Sequence, residues 1–279
     1  MRRVPLVVCA TPIGNLRDVT LRVLDVLREA DVVLCEDSRR TQILLDRYEI
    51  RAKRLVSVHR HNEARRVAEL LPQLAAGETH ALVSDAGLPG VNDPGARLVT
   101  AALAEGIPVT VLPGPSAVET ALVASGLAAA EYRFLGYLPR RAAELDALWV
   151  EAGTWTYAAV AFESPKRLAH SLARLGMTDA ERPVAVCREL TKRFEEVVRG
   201  TAAELAGRYE AVTVKGEVTI VVAPARQRPV DLDSAVAAVE ELVLAGAARR
   251  AAVDVVARLA GTPRNELYRR SVAAPSQPD

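Results

Sequence analysis

Short apolar runs alternate with amphipathic stretches through the first 125 residues. The runs at 4–9, 31–35, 55–58, 81–84 and 109–112 have the length of buried strands. Between them the spacing predicts helices. Asp18 or Thr20 caps one that ends near Glu29, and Ser38 caps a second that runs to Arg47. A third covers 62–76, with Val67, Leu70, Leu71 and Leu74 on one face. Helices over 94–105 and 115–125 follow the last two strands. Strands alternating with helices imply an α/β fold with a parallel-rich N-terminal sheet.

Near Gly126 the pattern restarts. Strands are predicted at 132–137, 158–162, 184–188, 195–199 and 218–223, with helices at 142–152 and 165–175. Thr201 caps a further helix, and Glu204 completes a capping box. The strands at 184–188 and 195–199 are too close for a helical crossover, so they read as an antiparallel pair in a mixed second sheet. Two α/β domains are expected, 1–126 and 127–224, then a linker over 225–233. A module of three short helices follows over 234–274. Ser234 caps its first helix (235–245) and Gly246 ends it. Gly261 stops the second (248–260), and Thr262-Pro263 opens the third. Residues 275–279 are expected to be a disordered tail.

The net charge of +1 gives no global pull toward nucleic acid, so local charge must decide. No apolar run is long enough for a signal peptide or a membrane span, and a cytoplasmic protein is expected. Cys9, Cys35 and Cys187 form no C-x-x-C pair and read as buried, reduced thiols. Four scattered histidines without H-E-x-x-H argue for no metal.

The densest chemistry lies at 80–95, where a strand opens into a loop with three glycines and two prolines. Asp85 sits at its mouth and Asp93 precedes Pro94. About twenty residues later Pro113-Gly-Pro-Ser116 is a tight turn from strand to helix. Two such mouths suggest a small-molecule cleft at the carboxyl edge of a sheet. No G-x-x-x-x-G-K-[ST] is present, and Thr11-Pro-Ile-Gly-Asn15 stands where a G-x-G-x-x-G would follow the first strand. Without lysine or histidine in these loops a polyphosphate lacks counter-charges. A ligand with adenosine, a carboxylate and a positive centre fits better.

Seven segments occur in order: Thr11-Pro-Ile-Gly-Asn-Leu-Arg-Asp18, Cys35-Glu-Asp-Ser-Arg39, the loop at 84–95, Pro113-Gly-Pro-Ser-Ala117, Phe134-Leu-Gly-Tyr-Leu-Pro139, Phe162-Glu-Ser-Pro-Lys-Arg167 and Cys187-Arg-Glu-Leu-Thr-Lys192. Together they resemble the tetrapyrrole-methylase superfamily. More narrowly, they resemble its branch that 2′-O-methylates a decoding-centre cytidine of bacterial 16S ribosomal RNA. The departures are mild: Ser38 and Leu88 stand where threonine is usual, Tyr137 for phenylalanine and Lys166 for histidine. The resemblance implies two α/β domains with S-adenosyl-L-methionine in the cleft between them, a homodimer, and 16S ribosomal RNA as partner, within the 30S subunit. Carried over by position, it puts the cofactor against Asp85, Ala86, Leu88, Pro115, Ser116 and Ala117, with further contacts from Pro12, Phe162, Leu190 and Thr219.

Methyl transfer to a ribose hydroxyl calls for alignment and a general base. Acid–base candidates at predicted strand ends are Glu36, Asp37, Glu163, Glu189 and Lys192, with Glu36 or Asp37 placed nearest the acceptor. A structural ion-pair cluster around Arg39 is the alternative for the first two, and Lys192 could equally hold phosphate. For RNA, residues 39–66 carry nine Lys and Arg against three acids, net +6, including Arg39, Arg40 and Arg60. Arg17 follows the first strand. Residues 249–270 carry six arginines, Arg249, Arg250, Arg264 and Arg269 among them, at net +4. A solvated basic face and a packing module remain the alternatives for these two stretches.

Overall fold

The computed structural model describes residues 4–128, 130–225 and 232–273. The chain groups into two compact units that divide after Ala225. Of the expected linker, residues 226–231 lie outside the described residues, as does the tail at 275–279.

The first half alternates as β1 (Leu6–Cys9), α1 (Leu21–Glu29), β2 (Val32–Cys35), α2 (Ser38–Arg47), β3 (Leu55–Ser57), α3 (Glu63–Ala75), β4 (His80–Leu82), α4 (Ala96–Ala104), β5 (Val109–Leu112) and α5 (Ala117–Ser125). The strands form one sheet in the order β3-β2-β4-β1-β5, with every pair parallel. Alternate residues serve opposite faces, as strand geometry requires. Val33 and Cys35 join Leu24, Leu27, Leu44 and Leu45 on one side. Leu34, Leu6 and Val8 join Leu70, Leu74 and Leu98 on the other. Because all five strands run the same way, the loops after β1, β2, β4 and β5 emerge at one edge.

The second half is β6 (Tyr132–Tyr137), α6 (Ala142–Ala152), β7 (Ala158–Glu163), α7 (Leu168–Thr178), β8 (Pro183–Arg188), β9 (Glu196–Thr201), α8 (Ala202–Glu210) and β10 (Val218–Val222). Its sheet is mixed, in the order β6-β7-β10-β8-β9. Only β6–β7 is parallel, and β8–β9 is the expected antiparallel pair. One face packs Trp149, Leu168, Leu172 and Leu205 from α6–α8. The other receives Val118, Ala121 and Leu122 of α5, against Val160, Ala185 and Val221. Helix α5 thus leaves the first sheet and beds on the second, so its N-terminal turn lies where the two sheets meet.

Local chemistry shifts several predicted boundaries. Asp37, not Ser38, caps α2, since its carboxylate accepts the Arg39 N–H at 2.9 Å. Thr20 caps α1, while Asn15 caps a separate short turn at Leu16–Asp18. Helix α7 starts three residues late because residues 164–167 form a turn, with the Ser164 carbonyl accepting from Arg167 and Leu168. The Thr201–Glu204 capping box is formed as expected.

The second unit comprises α9 (Leu232–Leu244), α10 (Arg249–Ala260) and α11 (Arg264–Ala273). Ser234 lies inside α9 rather than before it. Val239, Ala252, Val253 and Leu267 make its core. Gly261 adopts the left-handed conformation that ends α10, at φ 64°. Among the described residues no helix is long and apolar enough to cross a membrane, and no group of three or more His, Cys, Asp or Glu is placed to hold a metal.

Candidate active site

A cleft of about 1010 Å³ lies at the converging edge, walled by the loops after β2, β4 and β5 and by the second sheet. Its floor is tied together by backbone. Thr11 and Gly87 exchange N–H···O bonds at 2.8 and 2.9 Å, and the buried Thr11 hydroxyl donates to the Ser84 carbonyl at 3.0 Å. The turn at Pro113–Ser116 sits equally close. A Cβ on Gly114 would stand 2.8 Å from the Ala10 Cβ, so only glycine lets that turn lie against the end of β1.

Asp85, Ala86, Leu88, Pro115, Ser116, Ala117, Phe162, Leu190 and Thr219 all line the cleft. Pro12 is buried beside it and does not line it. The Asp85 carboxylate accepts the Asp37 N–H at 3.0 Å and lies 3.6 Å from the Arg40 guanidinium. Ser116 precedes α5 but does not cap it. Its hydroxyl bonds instead to Glu119, whose other oxygen accepts from the Tyr132 hydroxyl at 2.7 Å. Phe162 meets Phe134 and Tyr137 edge to face, with centroids 5.0 and 5.6 Å apart. Composition could not reveal this aromatic wall, because its rings come from two strands paired only in the fold.

The acid–base candidates separate. Glu36 lines the cleft, and burial, then the nearby Asp85 charge, raises its pKa. Asp37 does not line it. Its carboxylate is taken by the Arg39 side chain at 3.1 and 2.7 Å, and that pairing brings its pKa down to about 2. Glu163 lines the cleft wall, yet both of its oxygens are occupied. One accepts the Ser164 N–H at 2.7 Å, the other the Ser171 hydroxyl at 2.5 Å, with Arg167 3.3 Å away. Lys192 lies outside the lining, bound to Glu189 at 2.8 Å and Glu217 at 3.0 Å. Burial works against its charge, but those two hydrogen bonds outweigh it and raise its pKa. Lys192 is therefore an ammonium that clamps a loop. Gly14 fits against the same loop, and the Asn15 N–H donates to the Thr191 hydroxyl at 3.0 Å.

Asp93, singled out in the sequence only as a second acid of its loop, also lines the cleft. Burial first, then the Glu36 charge, raises its pKa to about 6, against a hydrogen bond to Ser84.

The basic residues disperse. Arg40 and Arg60 line the cleft, and Arg60 donates to the Asn92 carbonyl at 2.6 Å. Arg17 is exposed. Much of the +6 stretch is offset by acids outside it: Lys53 pairs with Asp31, Arg54 with Glu78, and Arg65 and Arg66 with Glu69. In the helical unit Arg249 is held by Glu240 and by the Ser271 carbonyl, and Arg264 by Asp254. Arg250 and Arg269 are exposed.

The cleft suits a ligand that joins an apolar ring system to a cationic centre. Phe162, Leu190 and Ala117 give it an apolar wall, glycine-bearing loops bring backbone close, and Glu36, Asp85 and Asp93 supply negative charge. Its volume, at the upper end of ordinary ligand sites, leaves room for a second reactant.

Comparison with known proteins gives concordant results. A family profile, Tetrapyrrole (Corrin/Porphyrin) Methylases, matches residues 5–206. The ribosomal RNA small subunit methyltransferase I of Mesorhizobium japonicum is 44% identical over 273 residues, covering 94% of this chain and 89% of its own. The X-ray structure of a cobalamin biosynthetic enzyme, cobalt precorrin-4 methyltransferase, superposes with a TM-score of 0.60 at 18% identity, over 78% of this chain and 94% of its own. The Thermus thermophilus uroporphyrin-III C-methyltransferase, complexed with S-adenyl homocysteine, superposes at 0.55 and 19% identity, over 79% of this chain and 97% of its own.

Proposed function

Because the chain belongs to the tetrapyrrole methylase family, we propose that it is an S-adenosylmethionine-dependent methyltransferase of small-subunit ribosomal RNA, acting on the 2′-oxygen of a decoding-centre cytidine. One observation carries the choice of acceptor. The tetrapyrrole enzyme of known structure leaves about a fifth of this chain unmatched, whereas the ribosomal relative is 44% identical across 94% of it. The relative that matches nearly the whole chain is named for ribosomal RNA, which supports that acceptor.

When bound, the donor supplies a sulfonium methyl whose leaving group is already good, so the chain's own task is to hold and align. The walls at Asp85–Leu88, Pro115–Ala117 and Phe162 would grip it, and the acids around Glu36 favour its positive charge. Holding donor and acceptor in line can supply roughly 7–11 kcal/mol. Arg40 and Arg60, the arginines among the cleft-lining residues, would take a phosphate beside the acceptor ribose.

The test uses the full chain with labelled S-adenosylmethionine and 30S subunits that lack the modification. Label in a 2′-O-methylcytidine of 16S ribosomal RNA is expected. Label absent from RNA, but transferred to a precorrin, would overturn the reading. A homodimer in the cytoplasm belongs to the same proposal, and light scattering of the purified protein checks its oligomeric state.

A further inference from the structure

We propose that Asp93 is the proton acceptor for the ribose hydroxyl, held in place by a loop clamped on both of its flanks. This rests on the ribose-methylation reading above.

The clamp is visible atom by atom. On the N-terminal side Asn92 is held left-handed, at φ 62°, by the Arg60 guanidinium on its carbonyl at 2.6 Å. The backbone of Gly136 lies against its amide, so closely that a Cβ there would stand 3.0 Å from it. On the C-terminal side Pro94 stiffens the chain. The Gly95 N–H donates to the nearly buried Glu63 carboxylate at 2.8 Å, and Arg97 N–H donates to the same oxygen at 3.2 Å. Gly95 has φ 117°, and a side chain there would strike Leu82. A short aspartate on so fixed a backbone keeps few rotamers to lose, which is what alignment with a reacting oxygen needs.

Among the other acids that line the cleft, Glu119 is taken by Ser116 and Tyr132, and Glu217 by Lys192. Asp85 is engaged by the Asp37 N–H and by Arg40, and Glu163 is saturated. Glu36 lines the cleft and acts on Asp93 as a like charge. The charged and titratable groups that face Asp93 are Glu36 after β2, Arg60 after β3, Asp85 after β4 and Tyr137 on β6. Their sum, with burial, makes its carboxylate more basic than an ordinary one while leaving it ionised at neutral pH.

In the reaction the ribose oxygen lone pair forms the new C–O bond as the S–CH₃ bond breaks and its electron pair returns to sulfur. The hydroxyl proton passes to an Asp93 carboxylate oxygen and then to water.

The decisive variant is Asp93→Asn, which keeps the shape. On 30S subunits its kcat should fall by roughly 10²–10⁴-fold, and the rise of wild-type rate with pH through about 6 should vanish. S-adenosylhomocysteine has a neutral thioether in place of the sulfonium that Asp93 would attract, so its calorimetric affinity should stay within about threefold of wild type, which a collapsed cleft would not allow. In the free protein, carbon-13 NMR titration of the Asp93 carboxyl should show a midpoint near 6, moving acidward in Glu36→Gln. A midpoint near the ordinary value of 3.8 overturns the proposal. So does an Asp93→Asn enzyme that labels ribose at the wild-type rate or keeps the acidic limb. If wild type itself places no label in ribose, the ribose reading fails and takes this proposal with it.

Discussion

Gly114→Ala is the sharpest probe of how the fold builds its cleft. Gly114 has no left-handed φ, so alanine meets no backbone penalty, and space alone decides. The added Cβ would stand 2.8 Å from the Ala10 Cβ and 3.5 Å from its carbonyl oxygen. Carbon atoms pack at roughly 3.5–4.0 Å, so the gap must open by about 0.7–1.2 Å. Ala10 has no flexible side chain to withdraw, and it continues β1, the strand flanked by β4 and β5, with its N–H directed at the Leu112 carbonyl. The turn at 113–116 therefore yields instead, carrying Pro115, Ser116 and Ala117 toward the space a ligand would fill. Overpacking of this kind costs about 1–3 kcal/mol. Taken from binding, that is a loss of affinity of about 5- to 140-fold. The assay is calorimetry of S-adenosylhomocysteine against the variant, with a thermal melt alongside. Wild-type affinity together with an unchanged melt would refute the idea that the Ala10–Gly114 contact sets the position of the wall.

Four further outcomes are expected. Glu63→Ala removes an acceptor shared by two backbone N–H groups, each charge-assisted bond being worth about 1.5–3 kcal/mol, so a loss of ~3–6 kcal/mol should appear in denaturant unfolding. A loss below about 0.5 kcal/mol would mean that the Asp93 loop is held by other contacts. Burial pushes the Cys9 thiol up to about 12, and those of Cys35 and Cys187 up to about 11. The folded thiols keep their protons where unfolded ones have begun to lose them. Their contribution to stability is therefore complete below about 8.5 and declines as pH rises toward 11, which unfolding midpoints at pH 8 and 10.5 can read. By the same logic, native protein at pH 8 should resist alkylation that proceeds once it is unfolded. A chain ending at Ala225 should keep its S-adenosylhomocysteine affinity while binding 30S subunits more weakly, and equal loss of both would make the helical unit a structural element.

The alternation of apolar runs with amphipathic ones predicted all ten strands of the described residues, because a buried strand and a half-buried helix demand different periods and the chain meets each demand locally. The boundaries that moved did so where a side chain competes with the backbone. Asp37 takes the Arg39 N–H and becomes the cap in place of Ser38, and a turn at Ser164 holds off the start of α7. The loops at 84–95 and 113–117 were legible as a cleft for a similar reason. Glycine where backbone must approach, and proline where it must turn, are requirements of the chain itself.

Choosing among the acids is another matter, for it depends on what lies across space. Glu36 and Asp37 are neighbours in sequence, yet one faces the cleft and the other caps a helix. Lys192, a candidate for base or phosphate contact by its position in sequence, is paired with Glu189 and Glu217, three and twenty-five residues away. The +6 stretch gives up half of its excess in the same way, to Asp31, Glu69 and Glu78. Asp93 shows the converse. Its neighbours in sequence, Asn92, Pro94 and Gly95, advertise a tight turn and nothing catalytic. Arg60, Glu63 and Gly136 fix its place and Glu36 raises its basicity, residues that belong to three other segments. A turn motif shows where the backbone must bend. The reason for bending it there, a carboxylate presented at one point of a cleft, exists only once those segments have met.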